Sequence, residues 1–295
     1  MLTVRKPKID FVHAAAHWAP NREFAQSQNA ASLMPVHVEP YLIKVMIRAK
    51  ELLGPEHSAL KVDIDDFIRQ ETQHYKVHQQ FNKSLYAAGY DRLLEFEREL
   101  SNDYKRFLSE RSLRFNCAYS EGFETLGPPN ARAYFERYGD LLEGADQRAV
   151  DLWKWHMLEE FEHRDVVFRV YRALFGQRRL ISYFYRVYGL ISAMRHLGAW
   201  GNRVTAYLIE RDRQGLGSEE LRLSKARERH YKRAILRRYL PQLLRAFNPA
   251  YDPTTAWPEP RGMREFVAKL ESQYLSTERA ARPQSMGPQV LTGPP

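Results

Sequence analysis

A single cysteine, Cys117, among 295 residues leaves no pair for an internal disulfide and no thiolate set for a cysteine-based zinc site. It fits a reducing compartment. Long apolar runs are also missing. The most apolar stretch, Leu180 to Trp200, is broken by Arg186, Arg195 and His196. Its longest uncharged run, Val187 to Met194, is far short of the ~20 residues a membrane span needs. The first residues, MLTVRKPKIDF, hold no apolar segment of the kind a secretory signal requires. A cytoplasmic location is therefore expected, at most peripheral to the inner membrane surface. There is no glycine-rich phosphate loop, no G-x-S-x-G and no alternation of strand and helix patterns.

What is present is enough apolar material for a core: 44% hydrophobic and 13% aromatic residues. The net charge of +9 is concentrated in one segment. Arg222, Lys225, Arg227, Arg229, Lys232, Arg233, Arg237 and Arg238 face Glu228 alone. The pattern reads as the solvated side of a helix whose apolar side carries Tyr231, Ile235, Leu236 and Leu240, so no nucleic acid is expected as a partner. Tyr183, Phe184, Tyr185 and Tyr188, interleaved with arginine, leave contact with a membrane surface open. A homodimer is equally open.

Residues 1–35 read as an irregular arm with one or two short turns, punctuated by Pro20 and Pro35. A helical domain is expected over 36–280. Its first helix begins near Glu39 and Pro40 and stops at Gly54-Pro55. Further helices are expected over about 60–88, 92–108, 111–126, 131–143, 146–175, 179–213, 218–247 and 262–280. The proline-rich connector AFNPAYDPTTAWPEPRG precedes the last of them, and residues 281–295 read as a disordered tail.

Two segments contain Glu-x-x-His: Glu71 with His74, and Glu160 with His163. Residues three apart share a helix face, so a carboxylate and an imidazole can reach one metal. Each pair interrupts an apolar stripe, Ile64, Phe67, Ile68 and Phe81 in one case, Trp153, Met157, Val167 and Tyr171 in the other. A carboxylate buried there needs a partner. A metal supplies one, and so would a neighbour across the bundle. Glu39 and Glu121 precede the two motifs by a helix, a turn and a return. The series Glu, Glu-x-x-His, Glu, Glu-x-x-His is the ligand set of ferritin-like di-iron and di-manganese bundles. The expected metal ligands are thus Glu39, Glu71, His74, Glu121, Glu160 and His163. A glutamate at a helix start also complements the helix dipole, which is the competing reading of Glu39. Glu124, on the face of Glu121, competes with it. Glu159 and Glu162 are expected to point to solvent. His78 and His156 lie on the metal-facing stripes and, with Glu124, are expected to orient ligands or carry protons.

At these residues the chain resembles a bacterial family of ferritin-like helical proteins customarily labelled predicted metal-dependent hydrolases. The resemblance rests on FIRQETQHYKVHQQFN (67–82), the Tyr119-Ser120-Glu121 helix and LWKWHMLEEFEHRDVVFRVY (152–171). HWAPNREFAQSQNAASLMP and FNPAYDP fit the same pattern, and the whole covers residues 8–275. It implies a ferritin-like four-helix bundle with a di-metal carboxylate site and peripheral helices. The label implies hydrolysis.

Oxygen-rich ligands with two imidazoles suit iron or manganese better than a zinc hydrolase site. Two metal ions are expected, iron first, with manganese or zinc as alternatives. The leading expectation is an O2-dependent di-iron oxidoreductase acting on a small to medium, largely apolar molecule. That molecule would enter between helices past Phe67, Phe123 and Tyr171. The alternatives are a hydrolase using a metal-bridged water and a non-enzymatic metal-binding or scaffold bundle.

Overall fold

The computed structural model describes residues 2–274, so the expected tail at 281–295 lies outside the described residues. In chain order its α-helices are α1 (Arg22–Ser32), α2 (Pro35–Glu51), α3 (Ser58–Ala87), α4 (Leu93–Glu110), α5 (Leu113–Glu124), α6 (Gly127–Arg132) and α7 (Gly139–Leu142). They continue with α8 (Gln147–Glu162), α9 (Val166–Phe175), α10 (Arg179–Arg213), α11 (Ser218–Arg238), α12 (Leu240–Leu243), α13 (Pro253–Ala256) and α14 (Met263–Tyr274). The protein is an all-helical bundle, as the periodicity predicts, with no strand among the described residues.

Three boundaries differ from expectation. The supposed irregular arm contains α1, capped where the Asn21 side chain accepts from the Phe24 N–H at 2.9 Å. Trp18, Phe24 and Ala25 of this region are buried in the core. The second helix starts at Pro35, not beside Glu39, so Glu39 lies inside it and the dipole reading loses its premise. The long helix predicted over 146–175 is broken between α8 and α9. No glycine or proline marks the break. Instead the Arg164 guanidinium donates to the Phe161 carbonyl at 2.5 Å and to the Pro253 carbonyl at 3.1 Å. A side chain inserted into the hydrogen-bond ladder ends the helix.

α2, α3, α5 and the α8–α9 pair close a ring, each packing on its neighbours. One apolar core holds Trp18, Phe24, Phe81, Trp153 and Trp155. A second holds Leu42, Met46, Phe67, Tyr119 and Val170. α10 lies along α5 at close range. A Cβ on Gly189 would stand 2.2 Å from the Ala118 carbonyl oxygen, and one on Gly122 would stand 2.5 Å from the Leu190 Cα. Among the described residues no helix is long and apolar enough to cross a membrane.

Gly189→Ala decides between two effects. Alanine gains about 1 kcal/mol of helix propensity. A contact with backbone cannot be relieved by a side-chain rotation, and overpacking costs about 1–3 kcal/mol. The expected outcome is a net loss of stability, read as a lower midpoint of thermal or urea unfolding.

Candidate metal centre

Glu39 from α2, Glu71 and His74 from α3, Glu124 from α5, and His156, Glu160 and His163 from α8 and its end converge in the ring's interior, each nearly or completely buried. Their donor atoms form two groups. Glu39, His74, His156 and Glu160 make one, and Glu71, Glu124, Glu160 and His163 make the other; within each, the donor atoms lie within 4.8 Å of one another. Glu160 belongs to both. Glu71 also stands between them, its Oε1 3.2 Å from His163 Nε2 and 3.7 Å from His74 Nδ1. The centre touches both cores, for His74 packs edge-on to Trp155 and His163 edge-on to Phe67.

Hydrogen bonding around the three imidazoles determines which way their lone pairs point. The Asn82 amide donates to the Ser32 carbonyl at 3.0 Å, so its Oδ1 is free to accept from the Ser32 hydroxyl at 2.7 Å. Ser32 Oγ must then accept from His78 Nδ1 at 2.7 Å. His78 Nε2, left as an acceptor, receives the N–H of His156 Nδ1 at 2.7 Å. His156 Nε2 therefore carries a lone pair, and it faces Glu160 Oε1 at 3.1 Å and Glu39 Oε1 at 3.5 Å.

The other two imidazoles follow the same logic. Gln70 donates to the Thr3 carbonyl and to Glu162, so its Oε1 accepts from His163 Nδ1 at 3.0 Å. His163 Nε2 is left facing Glu71 and Glu124, each at 3.2 Å. Glu159 takes two N–H groups of Arg5 on one oxygen and accepts from His74 Nε2 at 3.0 Å on the other. His74 Nδ1 is left facing Glu71 and Glu160, at 3.7 and 3.9 Å.

With the rings neutral, their lone pairs point at carboxylate oxygens, an arrangement that a shared proton or a metal cation between them makes favourable. Both oxygens of Glu39, Glu71 and Glu124, with His74 Nδ1 and His163 Nε2, have no hydrogen-bond partner among the described residues. These unsatisfied atoms fit a pair of divalent ions, whose charge balances the four carboxylates Glu39, Glu71, Glu124 and Glu160.

The ionisation equilibria show how the buried cluster is strained when it holds protein groups alone. Burial, then the charges of Glu160 and Glu124, pushes the Glu39 carboxyl well above its usual range. Burial and Glu39 do the same to Glu71. Burial and Glu160 push Glu124 up to about 7. Burial and His156 hold His74 well below the ordinary imidazole value. Without a cation, burial of His163 is outweighed by Glu124 and Glu160, which hold it well above the ordinary imidazole value. Burial of Glu160 is in turn outweighed by His156 and His163, which hold it low; a bound ion would take the place of the His163 proton.

The structure brings together Glu39, Glu71, His74, Glu160 and His163 of the expected ligands, but not Glu121. Arg186 from α10 takes Glu121 Oε1 at 3.3 Å, and Thr125 donates to the same oxygen at 3.1 Å. Glu124 stands among the donors instead. His156 stands there too, and His78 lies behind it against His156 Nδ1. The His-x-x-x-Glu-x-x-His spacing of 156, 160 and 163 places all three on one face and was available as a signal. The expectation for Glu159 is corrected: it is buried between His74 and Arg5, and burial pushes its carboxyl up to about 8. Glu162 is three-quarters buried against the same arginine.

A cavity of about 300 Å3 reaches the centre at His156 and Glu160 and is walled mainly by apolar residues, among them Met34, Phe123, Leu126, Met157 and Leu197. Of the expected entry residues Phe123 lines it. Phe67 is fully buried against His163, and Tyr171 borders a different cavity.

Compared with known proteins, the chain matches a family model described as predicted metal-dependent hydrolase over residues 3–256. No curated protein and no solved structure matches it.

Two outcomes follow for purified protein reconstituted with Mn(II) or Fe(II). Glu124→Ala is expected to hold less metal than the parent, whereas Glu121→Gln, which keeps a partner for Arg186, is expected to hold as much. Gln70→Ala, which frees the His163 ring, is expected to weaken binding about 10–100-fold. Because burial raises the Glu39, Glu71 and Glu124 carboxyls when no cation is present, metal uptake is expected to release protons and to weaken as pH falls. A pH-indicator titration at low buffer concentration reads both effects.

Proposed function

The chain belongs to the family of predicted metal-dependent hydrolases, and from that premise we propose that it is a dinuclear metal enzyme acting on a largely apolar substrate. The observation that carries the proposal is the convergence of three imidazole lone pairs on four buried carboxylates. One ion would be held by Glu39, His74 Nδ1 and His156 Nε2, and the other by Glu71, Glu124 and His163 Nε2, with Glu160 shared.

Each group offers four protein donors, which would close a tetrahedral zinc site. An ion of higher coordination number keeps a position open, so manganese or iron fits this donor set better than zinc. Bound there, the ions would polarise an ester, amide or phosphate and activate water, and iron would add the capacity to reduce O2.

The chain's own residues set the conditions for either reaction. The apolar wall of Phe123, Leu126, Met157 and Leu197 excludes water and holds a substrate's apolar part against the open side of His156 and Glu160. The chain from His156 Nδ1 through His78 to Ser32 and Asn82 holds the imidazole in one tautomer. His78 Nε2 accepts the His156 Nδ1 N–H at 2.7 Å and so keeps Nε2 of His156 turned to the centre.

For the reaction itself, the family's description supports hydrolysis, and this is the reading placed first. The O2-dependent oxidation expected from the sequence has less behind it. One observation favours it as a second reading: an oxygen-rich, imidazole-containing donor set opens on an apolar cavity.

One experiment separates the two. The Fe(II)- and Mn(II)-loaded protein is given a panel of apolar esters, with and without O2, while oxygen consumption is followed. Ester cleavage in the absence of O2 that is lost in Glu160→Ala supports hydrolysis. Oxygen uptake by the iron form alone, lost in the same variant, supports oxidation. A protein that takes up neither metal would overturn both.

A further inference from the structure

The long helix α10 carries an apolar stripe that no other part of the described chain covers. Leu180 is 75% exposed and Phe184 66%, and Ile181, Tyr188 and Ile191 continue the same face. The spacing of Ile181, Phe184, Tyr188, Ile191 and Arg195 is that of one side of a helix. The segment that crosses beside it, α12 and the turn after it, adds exposed Leu240 and Leu244, the latter 67% exposed. The two segments are joined where the Tyr183 hydroxyl donates to the Phe247 carbonyl at 2.7 Å. Leu236 extends the apolar side onto α11.

Exposed arginines stand at the end of this stripe on α10 and along α11, which packs on α12. The ion pairs of α11 use Arg222, Arg227, Lys232 and Arg238. Arg229, Arg233 and Arg237 are exposed and pair with no carboxylate among the described residues, and neither does Arg195 on α10. The sequence pattern sets Leu236 and Leu240 on the side away from the arginines, but both are exposed, and along α11 Arg229 and Arg233 share the side of Leu236. An apolar stripe flanked by free arginines has the chemistry of a helix lying in a lipid interface.

The same face adjoins the apolar cavity. Met194 and Gly198 of α10 and Tyr239 and Leu243 beside α12 line the cavity that ends at His156 and Glu160. Gly198 is exposed and shares the helix face of Ile191 and Arg195.

We infer that the face formed by α10, α11 and α12 docks on an anionic membrane surface and that the cavity between α10 and α12 receives a lipid-soluble substrate from it. The substrate class rests on the function proposed above; the docking does not. Charge decides among the occupants. A second copy packed face to face would set one cationic face against another, whereas anionic headgroups complement it. Membrane contact of this kind needs no spanning helix, only insertion of Phe184, Ile191, Leu240 and Leu244 to the headgroup boundary.

The test is co-sedimentation of the full metal-loaded chain with vesicles of phosphatidylcholine alone and of phosphatidylcholine with phosphatidylglycerol. Binding is expected to the anionic vesicles and to fall with salt. Arg229→Glu/Arg233→Glu/Arg237→Glu is expected to weaken it roughly tenfold or more. Phe184→Ser/Ile191→Ser is expected to weaken it with the charge intact. Circular dichroism and metal content, measured on the same samples, are expected to match the parent. Failure of the parent to bind anionic vesicles would overturn the inference, and so would binding that neither variant changes. A parent that is dimeric in solution and becomes monomeric in Phe184→Ser/Ile191→Ser would assign the face to a second copy and overturn it as well. Vesicle binding by a chain that takes up no metal would leave the docking standing and remove the proposed function instead.

Discussion

Glu39, Glu71, Glu124 and Glu160 are held out of water at distances where their charges repel, while three imidazoles offer them lone pairs rather than protons. Much of the surrounding structure serves to maintain that arrangement. Ser32 on α1 and Asn82 on α3 commit His78, which commits His156. Gln70, anchored on the Thr3 carbonyl and Glu162, commits His163. Glu159, paired with Arg5 on one oxygen, meets His74 Nε2 with the other. Two of these three chains run into the N-terminal region. That region is therefore part of the centre's support, and its removal would release the rings rather than trim a surface.

An isolated protein group could not relieve the cluster as well. A lysine or arginine inserted among the carboxylates would bring one charge and N–H donors that all need acceptors. Two divalent ions match the charge of four glutamates and accept the imidazole lone pairs at the same time. Burial of this many carboxylates is costly without them. The same argument explains why the carboxyls of Glu39, Glu71 and Glu124 are driven toward protonation when only protein groups are counted.

How much of this was legible in the sequence depended on the range of the interaction. The helices and the two Glu-x-x-His pairs were readable because their periodicity is local. His156 was placed on the right face by the same periodicity, but its role turned on Glu39 from another helix. The choice between Glu121 and Glu124 could not be read at all. Both lie on one buried side of α5, and the difference is made by Arg186, which binds Glu121 from 65 residues away. Glu159 looked like a solvent residue for the same reason, since its partner Arg5 lies 154 residues back. The break after His163 had no glycine or proline to announce it, because an arginine side chain makes it.

α10 shows how one long-range element can control a site to which it contributes no donor. Its arginine at 186 looked from the sequence like an interruption of an apolar run. In the fold that guanidinium is buried between Glu121 and the Ala246 carbonyl. By occupying Glu121 it leaves Glu124 as the α5 carboxylate within reach of His163. Gly189, three residues on, allows α10 to approach α5 closely enough for this pairing to form. One turn beyond, Met194 and Gly198 wall the cavity. A displacement of α10 would therefore loosen the carboxylate selection and reshape the cavity together, so the geometry of the centre and access to it are coupled through a single helix.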